Sequence, residues 1–256
     1  MGRMDSTRRS HVLGCAIDRL DMEATVDRID RVIATGGFAT HMAMNVAKLV
    51  TLRDDPELRA IVARCSIVSP DGQGIVWASR LLRDPLPERV AGIDLMQNLL
   101  ALAERRRYRV FILGARDTVL ARAVERIRER HPRLELAGYR DGYFRDDELE
   151  QVAAEIRASR PQMVFLAMSS PRKEYFLGKY GAGLGAGFVM GVGGSIDVIA
   201  GVTRRAPLAW QRLGLEWLYR LLQEPRRMFR RYSVTNARFA WLLARGLLTP
   251  RGGTTT

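Results

Sequence analysis

Asp71 stands between Pro70 and Gly72 in SPDGQG, at the end of a short apolar run, CSIVSP. A carboxylate carried by a turn at a strand end faces a cleft, where a general base belongs. An Asp in that place also closes turns or caps a following helix, and the local sequence leaves both readings open. The glycines divide the same way. Gly114 in FILGAR, and Gly193 and Gly194 followed by Ser195 and Asp197 in GVGGSID, either let backbone N–H groups approach a diphosphate or simply turn the chain. Asp197 is read equally as a pocket residue or as a structural turn residue. GVGGS lacks the GxGxxG spacing and no GxxxxGK[ST] occurs, so neither a dinucleotide fingerprint nor a Walker loop is supported. His11, His41 and His131 are scattered, which argues against a histidine metal site or triad. Cys15 and Cys65 fit a reducing compartment and are too few for a disulfide framework.

The second concentration of chemistry is electrostatic. Thr203 to Thr256 holds eleven Arg against Glu216 and Glu224, which places +9 of the chain's formal +13 in its last quarter. A patch of that density attracts polyanions. The arginines are interleaved with Leu208, Trp210, Leu213, Trp217, Leu221, Leu222, Phe239 and Trp241, the composition of a helix lying in a bilayer interface. The bland alternative is a solvated face, because Glu216, Arg220, Glu224, Arg227 and Arg231 follow a ladder of near i, i+4 pairs. No RRM, KH, zinc or helix-turn-helix signature accompanies the charge, so nucleic acid is not the expected partner. No 18-residue apolar run exists to span a membrane, and the N-terminus has no apolar signal core.

These residues need a scaffold to position them. Helical spacing over 22–34, 55–64, 94–106, 118–130 and 146–158 alternates with short apolar runs in THMAMNVA, CSIVSP, YRVFILGA, RLELAGYR, QMVFLAMSS and AGFVMGVG. Alternation of this kind predicts an α/β fold: a Rossmann-like, mostly parallel sheet with helices on both faces, followed by a basic amphipathic helical appendage. Ligands of such sheets sit beyond the carboxyl ends of the strands, which selects the loops SPDGQG, LGAR, SSPRKE and GVGGS. The expected divisions are a basic N-terminal extension at 1–13, a catalytic domain at 14–202, a membrane-associating appendage at 203–249 and a disordered tail at 250–256.

Taken in order, MNVAKL, SPDGQGIVWASR, PLPERVAGIDLM, FILGAR, GYRDGYF, SSPRKE, GVGGSIDVIAG, TRRAP and LGLEWLYRLLQEPRR closely resemble the WecG/TagA/CpsF family of bacterial glycosyltransferases, from about Gly14 to Tyr232. The resemblance implies transfer of a sugar, N-acetylmannosamine in well-known members, from a UDP donor to N-acetylglucosamine on undecaprenyl diphosphate. It implies inversion at the anomeric carbon with no metal and no cofactor, at the inner face of the cytoplasmic membrane, in teichoic acid or other surface polysaccharide synthesis. UDP-glucose or UDP-N-acetylmannosaminuronate donors are the alternatives within the family. A non-catalytic membrane scaffold or nucleic-acid binder is the alternative outside it, and a homo-oligomer is allowed.

By the same resemblance Asp71 falls on the family's catalytic base, Asn45 beside the pocket, and Arg89 on a phosphate-holding arginine whose other reading is a pair with Glu88 or Asp94. Glu174 falls on the Glu of G-x-P-K-Q-E, where this chain reads SSPRKE, with Lys173 in place of Gln. Ala43 stands where well-known members carry Thr. The Lys173 replacement suggests a more acidic donor or a different diphosphate pose. Gly193, Gly194, Ser195 and Asp197 fall at the nucleotide pocket. Arg204, Arg205, Arg212, Arg220 and Arg227 are expected to meet the diphosphate of donor or lipid, one of them stabilising departing UDP. Truncation near Thr203 is then expected to abolish membrane association and turnover of lipid acceptor while leaving the α/β domain folded.

Overall fold

A computed structural model describes residues 9–223 and 225–248, with side chains omitted at 212, 220 and 226–232. The described chain begins with β1 (Arg9–Val12) and β2 (Cys15–Asp18), an antiparallel hairpin. Its two turn residues, Leu13 and Gly14, both have positive φ, 49° and 82°. That is the backbone of a tight primed turn, and Leu at the first position hides the usual Asn-Gly signal. Residues 9–12, read above as part of a basic extension, are therefore a paired strand.

The elements α1 (Met22–Ala34), β3 (Ala39–Met44), α2 (Val46–Thr51), α3 (Pro56–Arg64), β4 (Ile67–Pro70) and α4 (Gln73–Leu81) follow. Next come α5 (Gly92–Arg106), β5 (Val110–Gly114), α6 (Asp117–Arg130), β6 (Leu136–Arg140) and α7 (Leu149–Ala158). After these are β7 (Met163–Ala167), α8 (Arg172–Tyr180), β8 (Phe188–Gly191) and α9 (Ser195–Ile199), and then the tail helices α10 (Leu208–Arg212), α11 (Glu216–Gln223) and α12 (Pro225–Leu248). The helices form where caps and periodicity agree. Asp21 caps α1 by accepting from Ala24 N, and Thr25, Ile29 and Ile33, four residues apart, are its buried stripe. Helix α5 starts at Gly92, two residues before the apolar spacing predicted, and α8 occupies residues read above only as a loop.

Six strands make one sheet in the order β4-β3-β8-β7-β5-β6, every pair parallel. Side chains alternate between two cores, as a sheet covered on both faces requires. Phe111, Leu113, Val164 and Leu166 enter one core, and Val110, Ile112, Met163 and Phe165 enter the other. The helices after β3 and β8, adjacent strands, leave toward opposite cores: Leu49 of α2 lies in the first and Ile196 of α9 in the second. That divergence opens a crevice at the carboxyl ends.

The tail lies on this domain. Phe239 and Leu243 of α12 pack against the first core. A Cβ at Gly246 would stand 3.0 Å from Leu13 Cδ2 and 3.5 Å from Leu82 Cδ2, so the end of α12 rests on the hairpin turn and α4. Gly214, with φ 69°, brings the α10–α11 turn within 2.6 Å of Gln73 Cγ, measured from the Cβ it lacks.

Gly114 ends β5 at φ 129°, and a Cβ there would lie 2.4 Å from the Ala167 carbonyl carbon. Both strain and collision forbid a side chain. Gly114→Ala adds a backbone overlap to that strain, each worth about 1–3 kcal/mol, so a cost of at least about 3 kcal/mol is expected, read as an earlier urea midpoint with unchanged slope.

Candidate active site

The end of β4 is held on two sides. Asp71 N–H donates to Met44 C=O at 2.8 Å, and Val90 N–H donates to Pro70 C=O at 2.9 Å. The half-buried Asp71 carboxylate accepts through Oδ1 from Gly92 N–H at 2.7 Å. Gly92 is the first residue of α5, whose N-cap, Ala91, has no side-chain acceptor. Asp71 thus satisfies an orphan donor at that helix start, where the helix dipole favours negative charge. Asp71 does not cap the following helix: α4 has Gly72 as its N-cap, with no side-chain acceptor, and the carboxylate serves α5 instead. Oδ2 has no donor among the described residues. Asn45 caps α2, accepting from Lys48 N–H at 3.0 Å, and a Cβ at Gly72 would be only 3.5 Å from its Cβ. The base candidate and Asn45 therefore share one wall.

Behind that wall is a buried charge cluster. Glu174 is 1% exposed, and its Oε1 accepts from Ser170 Oγ at 2.8 Å and lies 2.9 Å from Lys173 Nζ and 3.0 Å from Lys48 Nζ. Oε2 is fully buried without a donor. Lys173 also donates to Ser170 Oγ, and Lys48 donates to Ala43 C=O at 2.8 Å. Burial alone would raise the Glu174 pKa, but the Lys48 and Lys173 ammoniums outweigh it and bring the carboxyl down to about 2. Burial pushes Lys173 below its ordinary value, while Glu174, and Asp71 more weakly, oppose the shift. Lys173 lies under the glycine turn: Cβ atoms at Gly191 and Gly193 would be 3.1 Å from its Cδ and 3.7 Å from its Nζ. In that turn Gly193 N–H donates to Leu166 C=O at 3.2 Å and Ser195 N–H to Val192 C=O at 3.1 Å. Of these three amides only that of Gly194 lacks an acceptor among the described residues, so a cradle of several free N–H groups is not built there. The Asp197 carbonyl accepts from Val202 and Thr203 N–H at 2.9 and 3.1 Å and closes the turn into the tail.

Arg89 and Arg205 meet at the seam with the tail. Arg89 is ion-paired with Glu216, neither of the partners proposed from sequence, and Arg205 grips Asp94 bidentately at 2.6 and 2.7 Å. Arg205 Nε also lies 3.6 Å from Glu216. The Asp94 hydrogen bonds hold the Arg205 pKa above its usual value. Arg204 is exposed, with its carbonyl accepting from Gln223 Nε2 at 3.1 Å. The expectations for Arg212, Arg220 and Arg227 lie outside the described side chains.

Residues 89–94 therefore hold Asp71 through Gly92 and the tail through Arg89 and Asp94. Sequence reading missed Lys48, whose only signal is its place three residues after Asn45 in MNVAKL. It also read Glu216 as part of a solvated ladder. His41, fully buried in β3, shares a hydrogen bond with Ser69 Oγ at 2.8 Å, and burial pushes its imidazole down to about 3, so it is neutral. A separate surface concavity of about 700 Å³, lined by Arg122, Glu125, Arg128, Glu129 and Tyr139, involves α6 and β6 rather than any of these residues.

The sequence model of the glycosyl transferase WecG/TagA/CpsF family matches residues 10–253. An N-acetylglucosaminyldiphosphoundecaprenol N-acetyl-beta-D-mannosaminyltransferase of Bacillus spizizenii is 41% identical over 180 residues, which cover 70% of this chain and 69% of the relative.

Glu174→Gln removes the one carboxylate shared by two buried ammoniums and is expected to cost about 3–5 kcal/mol. Because the folded pKa is depressed, the charge stabilises the fold above pH 4.5, and that stability is lost as pH falls toward 2. Urea unfolding across that range should show a steep acid loss in the natural protein and a flatter profile in the variant.

Proposed function

The chain belongs to the WecG/TagA/CpsF family of glycosyl transferases, and on that premise we propose that it moves N-acetylmannosamine from a UDP donor to N-acetylglucosamine on undecaprenyl diphosphate. The name of the Bacillus spizizenii relative supports the sugar and the acceptor. The observation that carries the chemistry is the Asp71 carboxylate, fixed through Oδ1 at the start of α5, with Oδ2 having no donor among the described residues. In the proposed reaction Asp71 takes the proton from the acceptor hydroxyl as that oxygen attacks the anomeric carbon. The bond to UDP breaks on the opposite face, inverting the centre, and UDP leaves with the bonding pair. Arginines of the tail would stabilise the charge that develops on the departing diphosphate. Asn45 after β3 and Gly194 after β8, at the ends of two adjacent strands, would position the donor.

The lipid-linked acceptor calls for work at a membrane surface. Among the described residues no helix is long and apolar enough to cross a bilayer. The basic tail supports a peripheral association with the anionic inner face of the cytoplasmic membrane. An acidic donor such as UDP-N-acetylmannosaminuronate is the second reading, favoured by one observation: buried Lys173 and partly buried Lys48 share the single Glu174 carboxylate.

The purified chain, given a synthetic prenyl-diphosphate N-acetylglucosamine and a panel of UDP-sugars, should yield a product heavier by one N-acetylhexosamine. No product from any donor would reject the reading. Asp71→Asn keeps an amide oxygen to accept from Gly92, so the loop should stay in place and donor binding persist. Turnover is expected to fall about 10²–10⁴-fold, and near-normal turnover removes Asp71 from the role. Lys173→Gln should shift the donor profile away from acidic sugars, whereas an unchanged profile dismisses Lys173 as a selector.

A further inference from the structure

Helix α4 belongs to the α/β domain, yet it exposes two large apolar side chains four residues apart, Trp77 at 46% and Leu81 at 56%. Residues at that spacing share a helix face, and exposed Arg80 stands beside them. The sequence of α4, QGIVWASRL, contains no acid. This face is bordered by the tail at both ends. At one end the α10–α11 turn sits on Gln73 and Trp77, with the Trp77 ring 3.1 Å from the Cβ position of Gly214. At the other end Leu82 meets the α12 backbone at Gly246. Leu213, next to Gly214, is itself 62% exposed, and Leu208 is 68% exposed. Beside that turn Trp77 and Leu81 each keep about half of their surface open to solvent.

We propose that the membrane-docking surface extends from the tail onto the catalytic domain, with Trp77 and Leu81 of α4 inserting into an anionic bilayer beside Leu213. The inference rests on the peripheral-membrane reading above and adds a location to it. Three properties select a bilayer as the occupant. The surface is continuous with a tail carrying +9. It presents Trp, which favours the headgroup level, next to Leu, which favours the acyl boundary. Finally, Arg80 on the same exposed side and the absence of acids on α4 suit anionic headgroups. Docking through α4 sets the orientation of the crevice as well as its distance from lipid, because α4 follows directly from the Asp71 turn. A foot confined to the tail would anchor the enzyme; a foot that includes α4 also aims it.

The test uses the full chain and vesicles of phosphatidylcholine with or without phosphatidylglycerol. The natural protein should co-sediment with the anionic vesicles, and Leu81→Glu should weaken that partition at least about fivefold. Trp77→Ser should act in the same direction. Turnover of a short-chain, water-soluble prenyl acceptor by Leu81→Glu should match the natural protein, since Leu81 is exposed and lies outside the proposed catalytic and binding residues. If the natural protein binds anionic vesicles and Leu81→Glu binds them equally well, the α4 proposal is overturned while the peripheral reading stands. If the natural protein itself fails to bind, both fall. If Leu81→Glu loses vesicle binding but light scattering shows that it has also split a larger assembly into single chains, the surface is an interface between copies and the proposal is overturned.

Discussion

The hydrogen bond from Gly92 N–H to Asp71 Oδ1 joins the candidate base to the rest of the molecule. It places a carboxylate at the start of a 15-residue helix whose own N-cap offers no acceptor. Neither partner can move alone, because Val90 N–H is also fixed to Pro70 C=O and Asp71 N–H to Met44 C=O. One carboxylate oxygen is immobilised and the other has no donor among the described residues, the geometry that the proposed base requires. The same short segment continues outward to the tail through Arg89 with Glu216 and Asp94 with Arg205. A change in tail position is therefore felt, within a few residues, at the donor that holds Asp71.

The sheet's single direction explains why so many chemically distinct loops meet. With all strands parallel, the ends of β3, β4, β7 and β8 deliver Asn45, Asp71, the SSPRKE loop and the glycine turn to one side. Glu174 then ties two of these loops together, since Lys48 comes from the segment after β3 and Lys173 from the segment after β7. Buried ions are costly to desolvate, and two ammoniums and a hydroxyl at Glu174 Oε1 offset part of that cost and couple the two loops, while Oε2 stays without a donor. The Gln-to-Lys departure at 173 is thus more than a changed pocket group. The lysine is partly neutralised by its neighbour, so its influence on a donor is that of a shared charge.

Much of this was legible in the residue pattern. Alternating helical and apolar spacing yields the α/β sheet, and the ordered motifs from MNVAKL to TRRAP yield the family. The hairpin at 9–18 was hidden because its strands are four residues long and its turn begins with Leu13. Helix α8 is hidden because its first turn buries Lys173 and Glu174, charged residues that interrupt the apolar stripe of a helix. Lys48 and Glu216 were hidden for a physical reason: their roles depend on partners 126 and 127 residues away, and no local period encodes a long-range ion pair. The tail was readable as basic and amphipathic but not as docked. Phe239 and Leu243 cover part of the core, so cutting the chain near Thr203 would also uncover apolar surface, which makes point substitutions the cleaner probe.

Donor chemistry is proposed in the crevice between the ends of β3 and β8, beside Asp71. A crystal structure of the chain with UDP bound tests it most directly. The diphosphate should lie within hydrogen-bonding reach of Gly194 N–H, with Asp71 Oδ2 facing the space left for the sugar. UDP seated elsewhere, for example in the concavity on α6 and β6, with Asp71 remote from it, would rule out donor chemistry at Asp71.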